Sequence, residues 1–141
     1  MQSKIRRAES DDIVAIQNLD GQALNSAFNR EEQIRAAVLE YRCHVMATGS
    51  SIQGFAIHKP QAFRGMDFMD LLVVDPSFRR KGIATLLLVH FVENSNTPQS
   101  WTSTNRSNGP MISLLRKRNW CESDHIEELD PGDPDLFFFT N

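Results

Sequence analysis

Residues 73–85 combine the residue types that bind an anion. This segment reads Val-Val-Asp-Pro-Ser-Phe-Arg-Arg-Lys-Gly-Ile-Ala-Thr, so an apolar run is followed by three cations and a glycine. A helix that begins at Gly82 would leave the amides of its first turn unpaired, and such amides bind phosphate groups. Because glycine has no side chain, a ligand can approach the backbone closely there. The segment predicts a pyrophosphate site; the alternative is a basic, solvated turn before an ordinary helix.

Two other phosphate-binding patterns are absent from the sequence. The chain contains neither the GxxxxGK[ST] pattern of phosphate-loop nucleoside triphosphatases nor the GxGxxG pattern of dinucleotide-binding domains. Each pattern brings its own catalytic or ribose-binding groups, which are therefore not expected here. The prediction is a pyrophosphate site without the machinery for nucleotide hydrolysis.

The elements that lead to this site begin with a short strand and two helices. Residues 4–7 predict the strand, and Ser10 is expected to cap the first helix, with acidic residues in its first turn. Asn29 is expected to cap the second helix. The apolar face of that helix follows the spacing i, i+3, i+4, i+7 and comprises Ile34, Ala37, Val38 and Tyr41.

Strands and helices alternate through the rest of the chain. Residues 68–74 predict a central strand buried on both faces, and residues 82–91 predict a helix that is apolar almost all round and packed in the interior. The other predicted elements are a hairpin of strands 44–48 and 52–58 ended by Pro60, a strand 100–105, a helix 110–118 and a strand 136–139. The order β, α, α, β, β, β, α, β, α, β indicates an α/β or α+β domain.

Length and charge exclude several classes of protein. A chain of 141 residues matches one domain, expected to span residues 1–141. A net charge of −3 argues against a general nucleic-acid binder, and the longest apolar stretch, residues 86–92, is too short to cross a membrane. Two cysteines, with no metal-ligand spacing and no signal peptide, lead us to expect a cytoplasmic protein without a metal.

The basic loop resembles a known signature. Arg79-Arg80-Lys81-Gly82-Ile83-Ala84 matches [Q/R]-x-x-G-x-[G/A], which is motif A of the GCN5-related N-acetyltransferase (GNAT) superfamily. The preceding Val74-Asp75-Pro76 and the leucines at 86–88 are also usual in that superfamily. Residues 104–108 and 114–120 are similar to its motif B, and the order of the elements fits that superfamily across nearly the whole chain.

The resemblance implies a fold and a cofactor. The expected fold is a mixed, mostly antiparallel central sheet flanked by helices, whose two central strands splay apart around acetyl-CoA. The pyrophosphate would bind a loop and first helical turn made of Arg79, Arg80, Lys81, Gly82, Ile83, Ala84 and Thr85. The pantetheine arm would pair with the backbone of Leu72, Val73 and Val74, with an amide near Leu72 facing the thioester carbonyl as an oxyanion donor.

Two asparagines match motif B positions that contact the cofactor arm in relatives. These are Asn105 and Asn108, and the alternative is that they form a turn and cap a helix. Relatives also carry a tyrosine, a general acid for the leaving thiolate, after the leucine of the fourth helix. Alignment on Leu114 places Leu115 at that position, and the only tyrosine of the chain, Tyr41, is far away in sequence. Either the protein is inactive or this acid is dispensable; we favour the second.

Acetyl transfer to an amine needs a group that accepts a proton, and Asp70 is the first candidate. By the period of two in a strand, Asp70 shares a face with Leu72, whereas Asp67 points to the opposite face. Asp70 would act as the base or anchor the ammonium; the alternative is a structural acid. His44 and His58 are further candidates, and Cys43 and Cys121 are expected to be ordinary thiols.

The acceptor is the least constrained part of the prediction. Residues 122–135 contain seven acids and no lysine or arginine, which would attract a cationic acceptor, although a solvated loop is the alternative. An acceptor pocket or simple core packing would each explain the aromatic residues Phe63, Phe68, Trp101 and Trp120.

The leading hypothesis is an acetyl-CoA-dependent N-acetyltransferase that acts directly on a small-molecule or peptide amine. The alternative is a non-catalytic acyl-CoA-binding or regulatory module on the same fold, and a third hypothesis is a structural domain without a cofactor. A homodimer is expected by analogy with the family.

Overall fold

A computed structural model describes residues 2–24, 30–129 and 131–141 of the chain. Seven strands and four α-helices lie within these residues. In chain order they are β1 (Lys4–Arg7), α1 (Ile13–Leu24), α2 (Glu31–Leu39), β2 (Cys43–Thr48), β3 (Ser51–Phe63), β4 (Met66–Val74), α3 (Ile83–Glu93), β5 (Ser100–Asn105), α4 (Gly109–Lys117), β6 (Cys121–Glu127) and β7 (Asp135–Phe139). Single 3₁₀ turns at Ser10–Asp12 and Pro76–Phe78 precede α1 and α3.

The strands are hydrogen-bonded in the order β1-β2-β3-β4-β5-β7-β6. Pairing is antiparallel between β1 and β2, β2 and β3, β5 and β7, and β6 and β7, whereas β4 and β5 are parallel. The expected mixed, mostly antiparallel sheet flanked by helices is therefore confirmed.

The chain divides into two compact units. The first comprises Met1–His58 and Leu71–Asn94, and the second comprises Lys59–Asp70 and Ser95–Asn141. Both β3 and β4 contribute residues to each unit. The expected single domain over residues 1–141 and the splaying of the central strands stay predictions.

The core of the first unit lies where α1 and α2 supply apolar side chains alongside β2 and β3. Ile16, Ile34, Val45, Phe55 and Ile57 are fully buried in one cluster, against which Leu71 and Val73 pack. Helix α3 approaches β3 at Gly54, where an added Cβ would lie 3.0 Å from the Val73 carbonyl oxygen and 3.1 Å from Ile83 Cγ2. Only glycine therefore permits this close approach.

The second unit buries Leu115 of α4, Thr102 of β5 and Phe138 of β7. Thr102 Oγ1 donates a hydrogen bond of 3.0 Å to the carbonyl oxygen of Met69, which satisfies this buried hydroxyl. Helix α4 begins after Asn108, whose side chain accepts a hydrogen bond from the Met111 amide.

Two expectations about the first helices were wrong. Glu9, rather than Ser10, precedes the 3₁₀ turn, and its amide donates to the Asp12 carboxylate in a capping box. Tyr41 lies beyond the end of α2 with φ 62°, and 65% of its surface is exposed, so it is not part of the apolar face. The expected cap Asn29 lies outside the described residues.

Two expectations about the strands also need correction. Strand β3 continues past Pro60 to Phe63, because the backbone bends at Gln61 (φ 54°) and the Gln61 amide donates to Asp67 Oδ1. Much of the acidic stretch expected as a solvated loop forms β6, whose residues alternate between exposed and half-buried along the strand. Its many acids concealed this period of two.

The sequence overestimated how deeply the apolar residues of β4 and α3 are buried. Leu71, Leu72, Val73 and Val74 are all half-buried rather than buried on both faces. Helix α3 buries one face only, formed by Ile83, Leu87, Leu88 and Phe91, while 51% of Leu86 is exposed. Apolar side chains of the central strand and of α3 thus remain partly accessible.

Candidate functional site

The loop between β4 and α3 is anchored at its start by Asp75. The Asp75 amide donates to the Gln53 carbonyl at 2.8 Å, which continues the pairing with β3. The Asp75 carboxylate accepts from the Ser77 amide at 2.9 Å and so caps the 3₁₀ turn. These two hydrogen bonds fix the path of the backbone before Arg79, the first basic residue of the loop.

Two left-handed residues shape the rest of the loop. Arg80 has φ 65° and Gly82 has φ 78°. A non-glycine residue in this region is uncommon and costs conformational energy, and such strain is concentrated at functional sites. Beyond its two chain neighbours, no heavy atom of the described residues lies within 4 Å of an ideal Cβ built on Gly82, so the loop faces open space there.

The first turn of α3 leaves backbone donors available. The Leu86 amide donates to the Gly82 carbonyl at 3.0 Å, which is the first hydrogen bond that closes an α-helical turn. The amides of Ile83, Ala84 and Thr85 precede that bond and lie at the positive end of the helix dipole. These donors beside an open backbone suit an anionic ligand.

Three positive side chains lie on the same loop. Arg79, Arg80 and Lys81 are exposed. The Lys81 ammonium lies 5.3 Å from the centre of the Phe78 ring, a cation–π contact that holds this side chain beside the loop. Amides, left-handed backbone and three cations could hold a diphosphate, and the pyrophosphate site stays a prediction.

Asp70 lies on β4 in the second unit, and 19% of its side chain is exposed. Its Oδ2 lies 3.6 Å from Nζ of Lys59. Asp67 is different, because its carboxylate accepts from the Gln61 amide, the Ser95 hydroxyl and the Asn96 amide. Asp67 therefore organises backbone, whereas Asp70 lies beside the partly exposed ammonium of Lys59.

Comparison with known proteins identifies the family. The model of the GNAT acetyltransferase family matches residues 13–120. The chain belongs to the GNAT family. Members of this family transfer an acetyl group from acetyl-CoA. No protein of curated function matches the sequence of the chain.

Solved structures of GNAT proteins share the fold over the whole chain. A GNAT acetyltransferase from Bacillus cereus is 30% identical with a TM-score of 0.89, covering 100% of this chain and 98% of that one. The ribosomal-protein-S18-alanine N-acetyltransferase of Escherichia coli is 18% identical with a TM-score of 0.78 over 98% and 92%. YncA of Salmonella typhimurium, solved with its cofactor acetyl-CoA, is 16% identical with a TM-score of 0.77 over 100% and 94%.

The histidine candidates for a GNAT base lie in a cluster with a third histidine. His44 and His58 stack with ring centres 5.9 Å apart, and the His90 ring lies 4.6 Å from that of His44. Burial, and then the neighbouring His90, His58 and Arg7, lower the pKa of His44 to about 4. Burial also lowers the pKa of His90, whose Nε2 is buried with no partner among the described residues. His44 is therefore a weak base.

Both motif B asparagines have structural contacts in the second unit. Asn105 Nδ2 donates to the Asp133 carbonyl at 3.0 Å, and Asn108 caps α4. These contacts agree with the alternative stated for each residue, and a role in binding the GNAT cofactor stays a prediction.

Leu115 and Cys43 are buried and supply neither an acid nor a nucleophile. Leu115, at the position of the GNAT tyrosine, is fully buried. Burial raises the pKa of Cys43 to about 12, so its thiol is unreactive. Cys121 is a half-buried free thiol. Across the described ranges, no group of three histidine, cysteine or acidic side chains is arranged to hold a metal ion.

Sequence reasoning missed several residues near these candidates. His90 lies three residues after Leu87 and seven after Ile83, so helical spacing would have placed it on the buried face of α3. Arg64-Gly65 is a turn signature whose left-handed φ values, 52° and 76°, mark the hairpin between β3 and β4. Lys59 gave no signal, because its contact with Asp70 depends on how those strands face each other.

Within the described ranges, no helix is long and apolar enough to span a membrane.

Proposed function

We propose that this GNAT protein is an acetyl-CoA-dependent N-acetyltransferase that moves the acetyl group directly to the amine of a small molecule or peptide. The observation that carries the proposal is the loop before α3. There Arg80 and Gly82 adopt left-handed φ values of 65° and 78°, and three exposed cations directly precede a first helical turn whose amides have no partner within the helix. The presence of acetyl-CoA in the similar YncA structure supports the choice of this anion.

Backbone and side chains of the first unit would hold the cofactor. Amides from Arg80 to Thr85 would donate to the pyrophosphate, and the Arg79 side chain would add charge at the rim. The half-buried Leu72, Val73 and Val74 would offer their backbone to the pantetheine arm. Acetyl-CoA, once bound, supplies an acetyl group activated as a thioester.

The chain's own groups would then assist the transfer. An amide near Leu72 would donate to the carbonyl oxygen as negative charge develops on it. Asp70, either directly or through water, would accept the proton that the attacking amine loses, or would hold that amine in place beforehand. The new C–N bond forms as the C–S bond breaks, and the sulfur leaves with the bonding electron pair.

Leu115, a buried leucine, aligns with the GNAT tyrosine, so that position offers no side-chain acid to protonate the leaving sulfur. A thiol has a reference pKa of about 8.5, so a thiolate is a fair leaving group near neutral pH without prior protonation. Positioning of the amine and the donor to the carbonyl oxygen would supply most of the rate acceleration.

The acceptor class is supported by relatives and by charge. The similar Escherichia coli enzyme acts on the alanine of a ribosomal protein, which is a peptide amine. Exposed acids on β6 give this chain a surface that attracts cations. A cytoplasmic location and a homodimer are further predictions, which fractionation and sedimentation would check.

The experiment is a two-stage assay. Acetyl-CoA is first titrated against the melting temperature, and release of the free thiol is then followed over a panel of primary amines and amino-terminal peptides. We expect stabilisation by acetyl-CoA and amine-dependent thiol release. Stabilisation with no release on any amine would favour the acyl-CoA-binding module, and no stabilisation would contradict the proposal.

A further inference from the structure

An aromatic surface occupies one face of the second unit. We define the aromatic platform as Phe63, Phe68, Trp101, Phe137 and Phe139. The Phe63 ring centre lies 5.9 Å from that of Phe68 and 4.9 Å from those of Trp101 and Phe137. Trp101 stacks on Phe139 at 4.7 Å. Phe63, Phe68 and Phe139 are only half-buried, so the platform reaches the surface.

A cation of the chain itself covers this platform. The guanidinium carbon of Arg64 lies 5.2 Å from the centre of the Phe63 ring and 5.4 Å from that of Trp101. The faces of aromatic rings attract cations, and a guanidinium also stacks on them. Arg64 lies in the turn between β3 and β4 with φ 52°. Because it is exposed, its side chain can move off the rings without disturbing a core.

The same hairpin places a second cation on Asp70. Lys59 Nζ lies 3.6 Å from Asp70 Oδ2, and 46% of the Lys59 side chain is exposed. Asp70 follows Phe68 by two residues on β4, so both share one face and lie on the order of 7 Å apart. The carboxylate and the platform are therefore neighbours, and each binds one cation of the hairpin.

Further acids lie at the opposite border of this face. Glu127 is directly opposite Asp135 in the register of β6 and β7, and His125 Nε2 lies 3.1 Å from Glu127 Oε1. The His125 ring meets Phe63 at 5.3 Å, which connects this acidic border to the platform. These acids add negative charge beside the platform, which favours a cationic ligand.

We propose that the second unit recognises an acceptor with two cationic centres. The reacting amine takes the position of Lys59 on Asp70, and a guanidinium or second ammonium takes the position of Arg64 on the aromatic platform. Arg64 and Lys59 are placeholders that the acceptor displaces. The inference rests on the proposed function, since it names the acceptor class of that reaction.

The probe is agmatine, which carries a primary amine and a guanidinium on a four-carbon chain. Its matched control is 4-aminobutylurea, in which a neutral urea replaces the guanidinium. Binding is followed without acetyl-CoA through the indole N–H resonance of Trp101, which donates to Gln99 Oε1 at 3.2 Å. The indole of Trp120 serves as internal reference, and acetyl transfer to both probes is measured separately.

We expect wild type to bind agmatine at least about tenfold more tightly than the urea, because only the guanidinium makes a cation–π contact. Arg64→Asn, which tolerates a left-handed φ, should strengthen agmatine binding about two- to fivefold by removing the competing cation. Arg116→Asn is the matched control, because it removes the same charge from an exposed arginine paired with Glu122 and should not strengthen binding.

Equal affinity for the two probes, or equal effects of Arg64→Asn and Arg116→Asn, would overturn the inference. Failure of the proposed function has a different signature: agmatine binds with the expected preference, yet neither probe is acetylated. Phe63→Leu adds a second test, since it keeps an apolar side chain but removes the aromatic face, and it should weaken agmatine binding without changing affinity for the urea. A melting temperature close to wild type shows that this variant is folded.

Discussion

Lys59 Nζ lies 3.6 Å from Asp70 Oδ2, and this ion pair joins the two strands of the hairpin that enters the second unit. An exposed, flexible cation thus rests on the carboxylate that the sequence nominates as base or ammonium anchor. Asp67, three residues earlier on the same strand, is 6% exposed and receives two backbone amides and a hydroxyl. The two acids therefore differ in the kind of partner they hold.

This difference predicts opposite outcomes for the same substitution. Asp70→Asn should lower turnover by about 10²-fold or more, because the proton acceptor is lost, while affinity for acetyl-CoA stays unchanged. Asp67→Asn should instead lower the free energy of unfolding by about 1–3 kcal/mol, with turnover of the folded enzyme close to wild type. Steady-state kinetics and urea unfolding on both variants are the measurements. Turnover of Asp70→Asn within threefold of wild type would assign Asp70 a structural role.

The histidine cluster predicts a loss of stability in acid. The pKa of His44 is about 4 in the folded protein and near 6.5 when unfolded, so the unfolded state takes up the proton first as pH falls. The contribution of His44 to stability is fully present above pH 6.5 and is lost as pH falls toward 4. Since His44 is only partly shielded from water, we expect this loss in the free energy of unfolding to be about 1–2 kcal/mol.

Urea unfolding between pH 7.5 and 4.5 tests this dependence. His44→Gln has no titrating group at that position, so the slope of stability against pH should become shallower than in wild type. An identical slope in the two proteins would show that His44 is not the cause. The cost of the substitution itself is read separately at pH 7.5, where His44 is neutral in both states.

The missing tyrosine of α4 predicts a modest kinetic effect. Leu115→Tyr should change turnover by less than about tenfold, because a thiolate leaves without a side-chain acid. Since Leu115 is fully buried, the larger ring should also cost about 1–3 kcal/mol of stability. Kinetics with one accepted amine, together with thermal unfolding, give both quantities. Activity that appears only in the tyrosine variant would show that the acid is required.

The sequence was most informative where local rules decide the structure. β1 and β5 have the predicted bounds, and the motif A loop precedes α3 as expected, because spacing and a glycine determine these features. β6 was missed because its acidic residues hide a period of two, and because its pairing with β7, which is irregular between Glu122 and Ile126, joins segments that a loop separates in sequence. The environments of Asp70 and His44 depend on strand register and helix packing, which link residues far apart in sequence.

The central claim is that the loop before α3 binds acetyl-CoA, and calorimetric titration of the cofactor into matched glycine variants tests it most directly. Gly82 and Gly132 have nearly equal left-handed φ values, 78° and 80°, and in the described part of the chain an added Cβ at either meets no atom within 4 Å beyond the two adjacent residues. Aspartate tolerates that backbone, so the two substitutions differ in position rather than in strain. We predict that Gly82→Asp weakens acetyl-CoA binding at least about tenfold, because a carboxylate would oppose the pyrophosphate, while Gly132→Asp binds as wild type. Equal affinity of the two variants, or no binding by wild type, would contradict the account.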